Sequence, residues 1–306
     1  MIDPGDAVAD EAASVPTSDR EGADASSRKP RLPSTRSSWK RLASRLSHPD
    51  RVAYQERRRG FLSAHVALDR ATGIEFGAFD LPTVPAALGR CTIADIRSEV
   101  ELARRFGHPI EDICPVDYVY DPARPVAQQI DGRFDYAILC HVIEHVPDVI
   151  RALCELRELL VEGGILFLAV PDKRETPDVG RPSTTLSRLI ERARQQATGP
   201  SFSEVAEFAL AWRSDARTLY DDSVRRFYDA VAYELAHGTP DVHCNVWRDE
   251  ELFDQLRELI RGGYLADLEI VGTHPTQSPF NEFYVALMRV GERGTFDPAR
   301  GAAGDG

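Results

Sequence analysis

Acidic side chains end successive strand-like segments of this sequence, at a spacing suited to holding a nucleoside. Glu75 lies in GIEFGA (73–78), Asp95 in RCTIADI (90–96) and Asp121 at the end of CPVDYVYD (114–121). Asp95 follows Glu75 by twenty residues. An acid at about that spacing, at the tip of the next strand, can accept hydrogen bonds from both ribose hydroxyls of a cofactor. We therefore predict that Asp95 binds a ribose and that Asp121 lies near the base. The alternative for each acid is helix capping or a solvated loop.

The loop after the first of these segments argues against a phosphate-bearing cofactor. Gly77 is followed by Phe79, Asp80, Leu81 and Pro82, so a full G-x-G-x-x-G is absent. A pyrophosphate needs close backbone approach and a free helix N-terminus, which a bulky loop containing proline suits poorly. The loop therefore disfavours a nicotinamide-dependent oxidoreductase. It favours a nucleoside cofactor without phosphate, namely S-adenosylmethionine.

The stretch CHVIEHVPD (140–148) has two interpretations. His141, Glu144 and His145 match H-x-x-E-H, a zinc-peptidase motif whose histidines must lie one turn apart on a helix. Pro147 follows two residues later, and proline is favoured in a first helical turn but disrupts a helix interior. The helix is therefore expected to begin after the histidines, which places them in a loop at the carboxyl edge of the sheet, where ligands of such sheets bind.

S-adenosylmethionine, the cofactor favoured above, is a methyl donor. Transfer of its methyl group to a hydroxyl would require donor and acceptor to be held close and a proton to be removed. Histidine suits the role of base, and the catalytic candidates are His141, His145 and His243. The alternative for each is a structural hydrogen bond, which the family resemblance described below favours for His145. Three polar residues after the fifth strand-like segment are candidates to bind a polar or anionic acceptor, unless they form a solvated turn: Asp172, Lys173 and Arg174.

The elements that must position these side chains alternate between strand and helix. The predicted helices carry one apolar stripe each, and the central strands are apolar on both faces. Helices are predicted at 100–106, 149–160 and 249–263, and strands at 73–78, 90–96, 114–121, 134–140, 165–171, 265–272 and 281–290. This pattern predicts an α/β fold with a mostly parallel sheet, whose last two strands, joined without a helix, pair antiparallel.

The remaining segments differ in composition. We predict a disordered tail at 1–38, a helical segment at 39–70, the main domain at 71–175 and 241–291, a helical insertion or lid at 176–240, and a flexible tail at 292–306. The net charge of −12 disfavours nucleic-acid binding, and no stretch is long and apolar enough for a membrane span. The five cysteines are scattered and form no CxxC, which predicts free thiols. We find no signal-peptide pattern, and we therefore expect a cytoplasmic protein.

The segment FDYAILCHVIEHVPDVIRALCELRELLVEGGILFLAVPDKRETPD resembles the class I S-adenosylmethionine-dependent methyltransferases that act on small molecules. The resemblance implies a Rossmann-like sheet of seven strands, with the last strand antiparallel. It also implies a set of cofactor-binding residues. They belong to the family's first motif or lie beside the ribose, the adenine or the methionine moiety: Glu75, Gly77, Asp95, Asp121, Cys140 and His141.

Some quinone-pathway O-methyltransferases of this group bind a divalent metal through E-x-x-E-H at this loop. Glu144 and His145 match that motif whereas His141 does not, and we assign no metal. The expectation is therefore a methyltransferase that uses S-adenosylmethionine to methylate a small molecule, at oxygen. The alternatives are a non-catalytic binding or scaffold protein with this fold, and a nicotinamide-dependent oxidoreductase. The sequence does not predict an oligomeric state.

Overall fold

The structure is a computed structural model that describes residues 48–212 and 241–291 of the 306-residue chain. The predicted tails at 1–38 and 292–306 lie outside the described residues. Residues 39–47 of the predicted N-terminal helical segment and residues 213–240 of the predicted insertion also lie outside the described residues.

Within the described residues the chain forms one sheet of seven strands, in the order β3-β2-β1-β4-β5-β7-β6. Pairing is parallel from β3 to β5, and β7 runs antiparallel to both of its neighbours. The strands are β1 (Thr72–Phe76), β2 (Arg90–Asp95), β3 (Tyr118–Val119), β4 (Phe134–Cys140), β5 (Leu160–Pro171), β6 (Leu268–His274) and β7 (Glu282–Arg289). The predicted fold class, including the antiparallel final strand, is confirmed.

The α-helices that the structure describes flank this sheet. They are α1 (His48–Ser63), α2 (Glu99–Phe106), α3 (Val149–Glu158), α4 (Leu186–Arg194), α5 (Phe202–Trp212) and α6 (Asp249–Arg261). In the described ranges, no helix has both the length and the apolar character needed to cross a membrane.

The sheet buries a separate apolar layer on each face. Alternate residues of β4 serve the two layers: Tyr136 and Ile138 pack with Leu62 of α1, whereas Ala137 and Leu139 pack toward α3 and α6. This follows from the period of two along a strand, and it explains why the central strands are apolar throughout. The burial of both faces leaves the strand ends as the place where polar side chains can meet.

Two elements differ from the sequence-based prediction. The third strand is only Tyr118–Val119, shorter than the predicted 114–121. The helix α3 ends at Glu158, and Gly163 lies within β5, where its φ of +77° accompanies an irregularity in the pairing with β4. The strand therefore begins at Leu160 rather than at the predicted residue 165, and Gly163 and Gly164 lie inside it, because a positive φ suits a bulge as well as a helix C-terminus.

Candidate active site

Asp95 lies at the tip of β2 and is only 7% exposed. One carboxylate oxygen accepts a hydrogen bond from the backbone N–H of Arg97 at 2.9 Å, and burial raises the pKa of Asp95 above its ordinary value. The tips of β2 and β4 are separated by β1, so these two tips lie about 10 Å apart along the edge. That distance spans a nucleoside. A desolvated carboxylate here fits a ligand that offers two hydroxyl donors, as the ribose of S-adenosylmethionine does.

Glu75 does not face the edge in the way the sequence suggested. It is buried, and its carboxylate accepts hydrogen bonds from the backbone N–H and the hydroxyl of Thr83, both at 2.8 Å. Cys140 lies beside the same hydroxyl, with its Sγ 3.3 Å from Thr83 Oγ1. Glu75 therefore anchors the loop that follows β1, and its predicted contact with the cofactor stays a prediction.

Gly77 begins this loop with a φ of +69°, a conformation that side chains with a Cβ rarely adopt. A Cβ at this position would lie 2.9 Å from Cγ2 of Val142 in the loop after β4. The glycine thus permits the loops after β1 and β4 to pack closely. Its predicted role at the cofactor is compatible with this placement, which brings two strand tips together.

We expect the stability of the protein to fall between about pH 4.5 and pH 7 because of Glu75. Burial raises the pKa of Glu75 from 4.5 to about 7. In that window the folded chain holds a proton on Glu75 that the unfolded chain releases. The contribution of Glu75 to stability is therefore fully present at low pH and is lost as the pH rises. The whole window corresponds to roughly 3 kcal/mol at most. Chemical denaturation across this range should show a weaker slope for Glu75→Gln than for the wild type.

The exposed Glu111 provides the matched control for this measurement, because Glu111→Gln removes a solvated carboxylate. Its unfolding free energy should follow the wild-type pH dependence. A Glu75→Gln profile parallel to that of the wild type would show that Glu75 is ionised in the fold throughout the window.

Asp121 lies two residues beyond β3 and is exposed. Its side chain accepts from the backbone N–H of Ala123, and its own N–H donates to Gln129. Both contacts stabilise the local turn, which is the alternative that the sequence left open. A role of Asp121 beside the adenine remains a prediction.

Three polar residues follow β5, and the protein's own groups engage all of them. Asp172 is fully buried and accepts from Arg174 and from the hydroxyl of Thr276. Arg174 also forms an ion pair with Asp249 at 2.6 Å, and Lys173 Nζ donates to the carbonyl of Arg181. These contacts tie the end of β5 to its neighbours. The predicted binding of an acceptor by Asp172, Lys173 and Arg174 would compete with them and stays a prediction.

His141 directly follows β4, with an imidazole that is about one third exposed. Its φ is +55°, which is unusual for a residue other than glycine. Residues with such backbone conformations cluster at functional sites. The ring Nε2 lies 2.7 Å from Oε2 of the buried Glu282, which begins β7. Of the three catalytic histidine candidates, His141 is therefore both oriented by the protein and accessible from the edge.

The other two histidines face each other, with ring centroids 4.8 Å apart. His145 Nδ1 lies 3.1 Å from the carbonyl of Val242 and donates to it, and burial lowers the pKa of His145 to about 3. A histidine with that pKa binds a proton poorly near neutral pH. His243 is buried, and its Nδ1 lies 2.7 Å from Asp178 Oδ2. These contacts leave Nε2 of each ring as the unprotonated nitrogen when the ring is neutral.

Glu144 lies beside these two rings, with Oε1 3.7 Å from Nε2 of His145, and is 1% exposed. Neither of its carboxylate oxygens has a hydrogen-bond partner among the described residues. Burial raises its pKa to about 7. One ligand atom each from Glu144, His145 and His243 lies within 4.8 Å of the others. An unpartnered buried carboxylate beside two imidazoles that expose Nε2 is a donor set that fits a divalent cation.

The segment that carries His243 is fastened to the loop after β4 by its backbone. Asn245 N donates to the carbonyl of Glu144 at 3.0 Å, and its side-chain amide donates to the carbonyl of Val146 at 2.8 Å. Asp172 and Trp247 form a parallel bridge next to it. His243 therefore reaches the edge of the sheet, as the sequence suggested.

Sequence reasoning missed three residues of this region. Arg58 on α1 and Glu282 on β7 form the ion pair behind His141, and Asp178 supports His243. Glu282 carries a weak signal, since a charged residue opens a strand that is apolar from Phe283 to Met288. Arg58 and Asp178 are surrounded by other charged residues in the sequence, so their burial has no local signature.

Comparison with known proteins identifies what this arrangement is similar to. A family model described as a methyltransferase domain matches residues 94–259, more than half of the chain. Two ubiquinone biosynthesis O-methyltransferases, from Xanthomonas campestris pv. campestris and Xanthomonas oryzae pv. oryzae, are each 28% identical over 174 residues. Each alignment covers 55% of this chain and 71% of the relative.

A solved structure of an S-adenosylmethionine-dependent methyltransferase from Clostridium acetobutylicum also overlaps this chain. It is 9% identical, covers 83% of this chain and 99% of its own, and superposes with a TM-score of 0.44. A TM-score this low supports no conclusion about the fold or the activity. The match to the methyltransferase family model is therefore the comparison that identifies the family.

Proposed function

This chain belongs to the class I S-adenosylmethionine-dependent methyltransferases, and from that premise we propose that it methylates an oxygen atom of a small molecule. The observation that carries the choice of oxygen is His141, an oriented and accessible imidazole at the tip of β4. Methylation of a hydroxyl requires removal of a proton, which such a group can accept. The O-methyltransferase relatives, at 28% identity, support the same choice.

In this proposal the residues at the carboxyl edge divide the work. S-adenosylmethionine, when bound, supplies an electrophilic methyl group on a sulfonium. Asp95 accepts hydrogen bonds from the ribose, and the loop that Gly77 and Glu75 shape encloses the cofactor beside the tip of β4. His141 accepts the proton of the acceptor hydroxyl. The enzyme then contributes chiefly by holding the two reactants close and by placing this base.

The expected result with the wild type is micromolar binding of S-adenosylhomocysteine in calorimetry and methylation of one or more hydroxyl compounds in a small-molecule panel. Asp95→Ala should weaken that binding by about 1–3 kcal/mol, because it removes the acceptor for ribose hydroxyls at a buried site. Absence of binding by the wild type would support a non-catalytic protein with this fold. An unchanged Kd for Asp95→Ala would show that Asp95 does not hold the ribose.

The sequence assigned no metal, but we propose that this chain binds a divalent cation. Glu144, His145 and His243 would hold the ion, and two imidazoles with one carboxylate favour zinc or a similar cation over magnesium. When bound, such an ion would supply Lewis acidity. Protein purified without metal-affinity steps should carry about one zinc per chain by mass spectrometry.

His243→Ala should lower the zinc content several-fold, because it removes one of three ligands. The exposed His108 provides the control, since His108→Ala leaves the cluster intact. Equal zinc in all three proteins would show that any bound ion lies elsewhere, and no zinc in the wild type would show that the cluster does not retain it.

We also propose that the protein acts in the cytoplasm, without nucleic acid as partner. All five cysteines are unpaired, as is usual in a reducing compartment. The charge of −12 disfavours contact with phosphate backbones. Localisation of a fluorescent fusion and a binding assay with DNA and RNA test these two statements. A secreted fusion, or binding that weakens steeply with salt, would contradict them.

A further inference from the structure

A buried ion pair lies directly behind His141. Glu282 is fully buried and accepts hydrogen bonds from three side chains. Its Oε1 accepts from Nε of Arg58 and from the hydroxyl of Tyr284, both at 2.9 Å. Its Oε2 accepts from Nη2 of Arg58 at 2.5 Å and lies 2.7 Å from Nε2 of His141. Glu282 therefore holds four polar contacts in one orientation.

The charge of Glu282 decides which nitrogen of His141 carries the proton. Burial alone would raise the pKa of Glu282, but the two-pronged ion pair with Arg58 holds it well below its ordinary value. An ionised carboxylate only accepts hydrogen bonds, so Nε2 of His141 must donate. A neutral His141 then has its lone pair on Nδ1. That nitrogen lies 3.9 Å from Oε1 of Glu144, too far for a hydrogen bond.

The backbone places this imidazole at the edge rather than in the core. The N–H of His141 donates to the carbonyl of Ala169 at 2.9 Å, which continues the pairing of β4 with β5. The φ of +55° then turns the chain, and the side chain keeps about one third of its surface exposed. Nε2 is thus held from within while the rest of the ring remains reachable.

We propose that Glu282, held in place by Arg58 and Tyr284, is a positioning residue that keeps His141 in the Nε2–H form with Nδ1 available to an acceptor hydroxyl. This inference rests on the proposed function. The hydroxyl proton passes to Nδ1 while the acceptor oxygen forms a bond to the methyl carbon. The carbon–sulfur bond breaks with its electron pair left on sulfur, so S-adenosylhomocysteine leaves as a neutral thioether. The imidazolium that results lies against the ionised Glu282 and returns its proton to water.

A purely structural role for the pair makes a different prediction. Arg58 belongs to α1 and Glu282 to β7, so the pair also fastens this helix to the sheet. If fastening were its whole role, removing it would affect turnover whether or not His141 is present. If it acts through His141, its loss should matter only when His141 is there to be oriented.

The first test reads the imidazole directly. In protein labelled with ¹⁵N-histidine and saturated with S-adenosylhomocysteine, at about pH 8 where an ordinary histidine is neutral, the His141 signals should show the Nε2–H form. Their absence from His141→Asn identifies them. In Glu282→Gln the amide can donate to Nε2, so the proton should move to Nδ1 in part or wholly. An Nδ1–H form in the wild type would overturn the proposal.

The second test is a double-mutant cycle on turnover. Glu282→Gln should lower kcat by about 100-fold, because the wrong nitrogen then carries the proton, and should leave the Kd of S-adenosylhomocysteine unchanged. In a His141→Asn background the same change should cost less than about twofold. Glu111→Gln is the matched control, since it makes the same change at an exposed side chain outside this cluster, and its kcat should stay within about threefold of the wild type. An equal loss in both backgrounds would assign the pair a structural role only.

A further variant keeps the test valid if Glu282→Gln folds poorly. Arg58→Met combined with Glu282→Gln removes the unpaired buried guanidinium together with the carboxylate charge. It should fold, and it should retain both the altered imidazole signals and the loss of kcat. Restored wild-type signals in this variant would overturn the proposal. Failure of the proposed function would look different, because a wild type that shows the Nε2–H form would then methylate no hydroxyl compound.

Discussion

The substitution His141→Asn is expected to lower kcat by about 10² to 10⁴-fold, the range that a positioned general base contributes. Asparagine is the appropriate replacement because it tolerates the left-handed φ of +55° better than other residues with a Cβ. Its amide can also donate to Glu282, which avoids leaving that buried charge without a partner. The measurement is initial-rate methylation of the best acceptor, followed through release of S-adenosylhomocysteine.

Cofactor affinity distinguishes the two roles that the sequence suggested for His141. If His141 is the base, the Kd of S-adenosylhomocysteine should stay within about threefold of the wild type. A parallel loss of affinity and turnover would indicate that it contacts the cofactor instead. The control is His108→Asn, which replaces an exposed histidine outside the candidate site and should lower kcat far less than His141→Asn does. Unchanged turnover in His141→Asn would remove it from the chemistry.

The substitution Asp178→Ala is expected to lower the free energy of unfolding by about 3–5 kcal/mol. Asp178 is 1% exposed and accepts from Nη1 of Arg181 at 2.8 Å, from Nδ1 of His243 at 2.7 Å and from Nε1 of Trp212 at 3.0 Å. Alanine would leave the guanidinium of Arg181, itself 5% exposed, without its carboxylate partner on this side. The remaining ion pair of Arg181, to Glu207, is longer at 3.5 Å and more exposed.

Chemical denaturation in the presence of a chelator measures this loss without a contribution from bound metal. The nearby Glu175 is exposed, so Glu175→Ala should change the unfolding free energy by less than about 0.5 kcal/mol. A loss of similar small size in Asp178→Ala would show that water replaces the carboxylate in this cluster. It would also remove the physical reason for the fixed orientation of His243.

The fold could be predicted from the sequence because its signals are local. The apolar stripe of residues 149–160 and the apolar run of 136–140 define a helix and a strand from side chains only a few positions apart. Where the local signal was ambiguous, the prediction was wrong in detail. Gly163 and Gly164 match a helix stop as well as a bulge, and only the pairing of β5 with β4 distinguishes the two.

The candidate site divides in the same way. The sequence by itself determined the family, the cofactor and the strand tips that carry Asp95 and His141, since motif spacing and alternation are written within short stretches. Only the tertiary structure decided which side chains surround them. Arg58 meets Glu282 across 224 positions and His141 meets Glu282 across 141, because antiparallel β7 returns its first residue to the edge where β4 and β5 end. Such contacts depend on strand order and burial, which no short stretch of residues encodes.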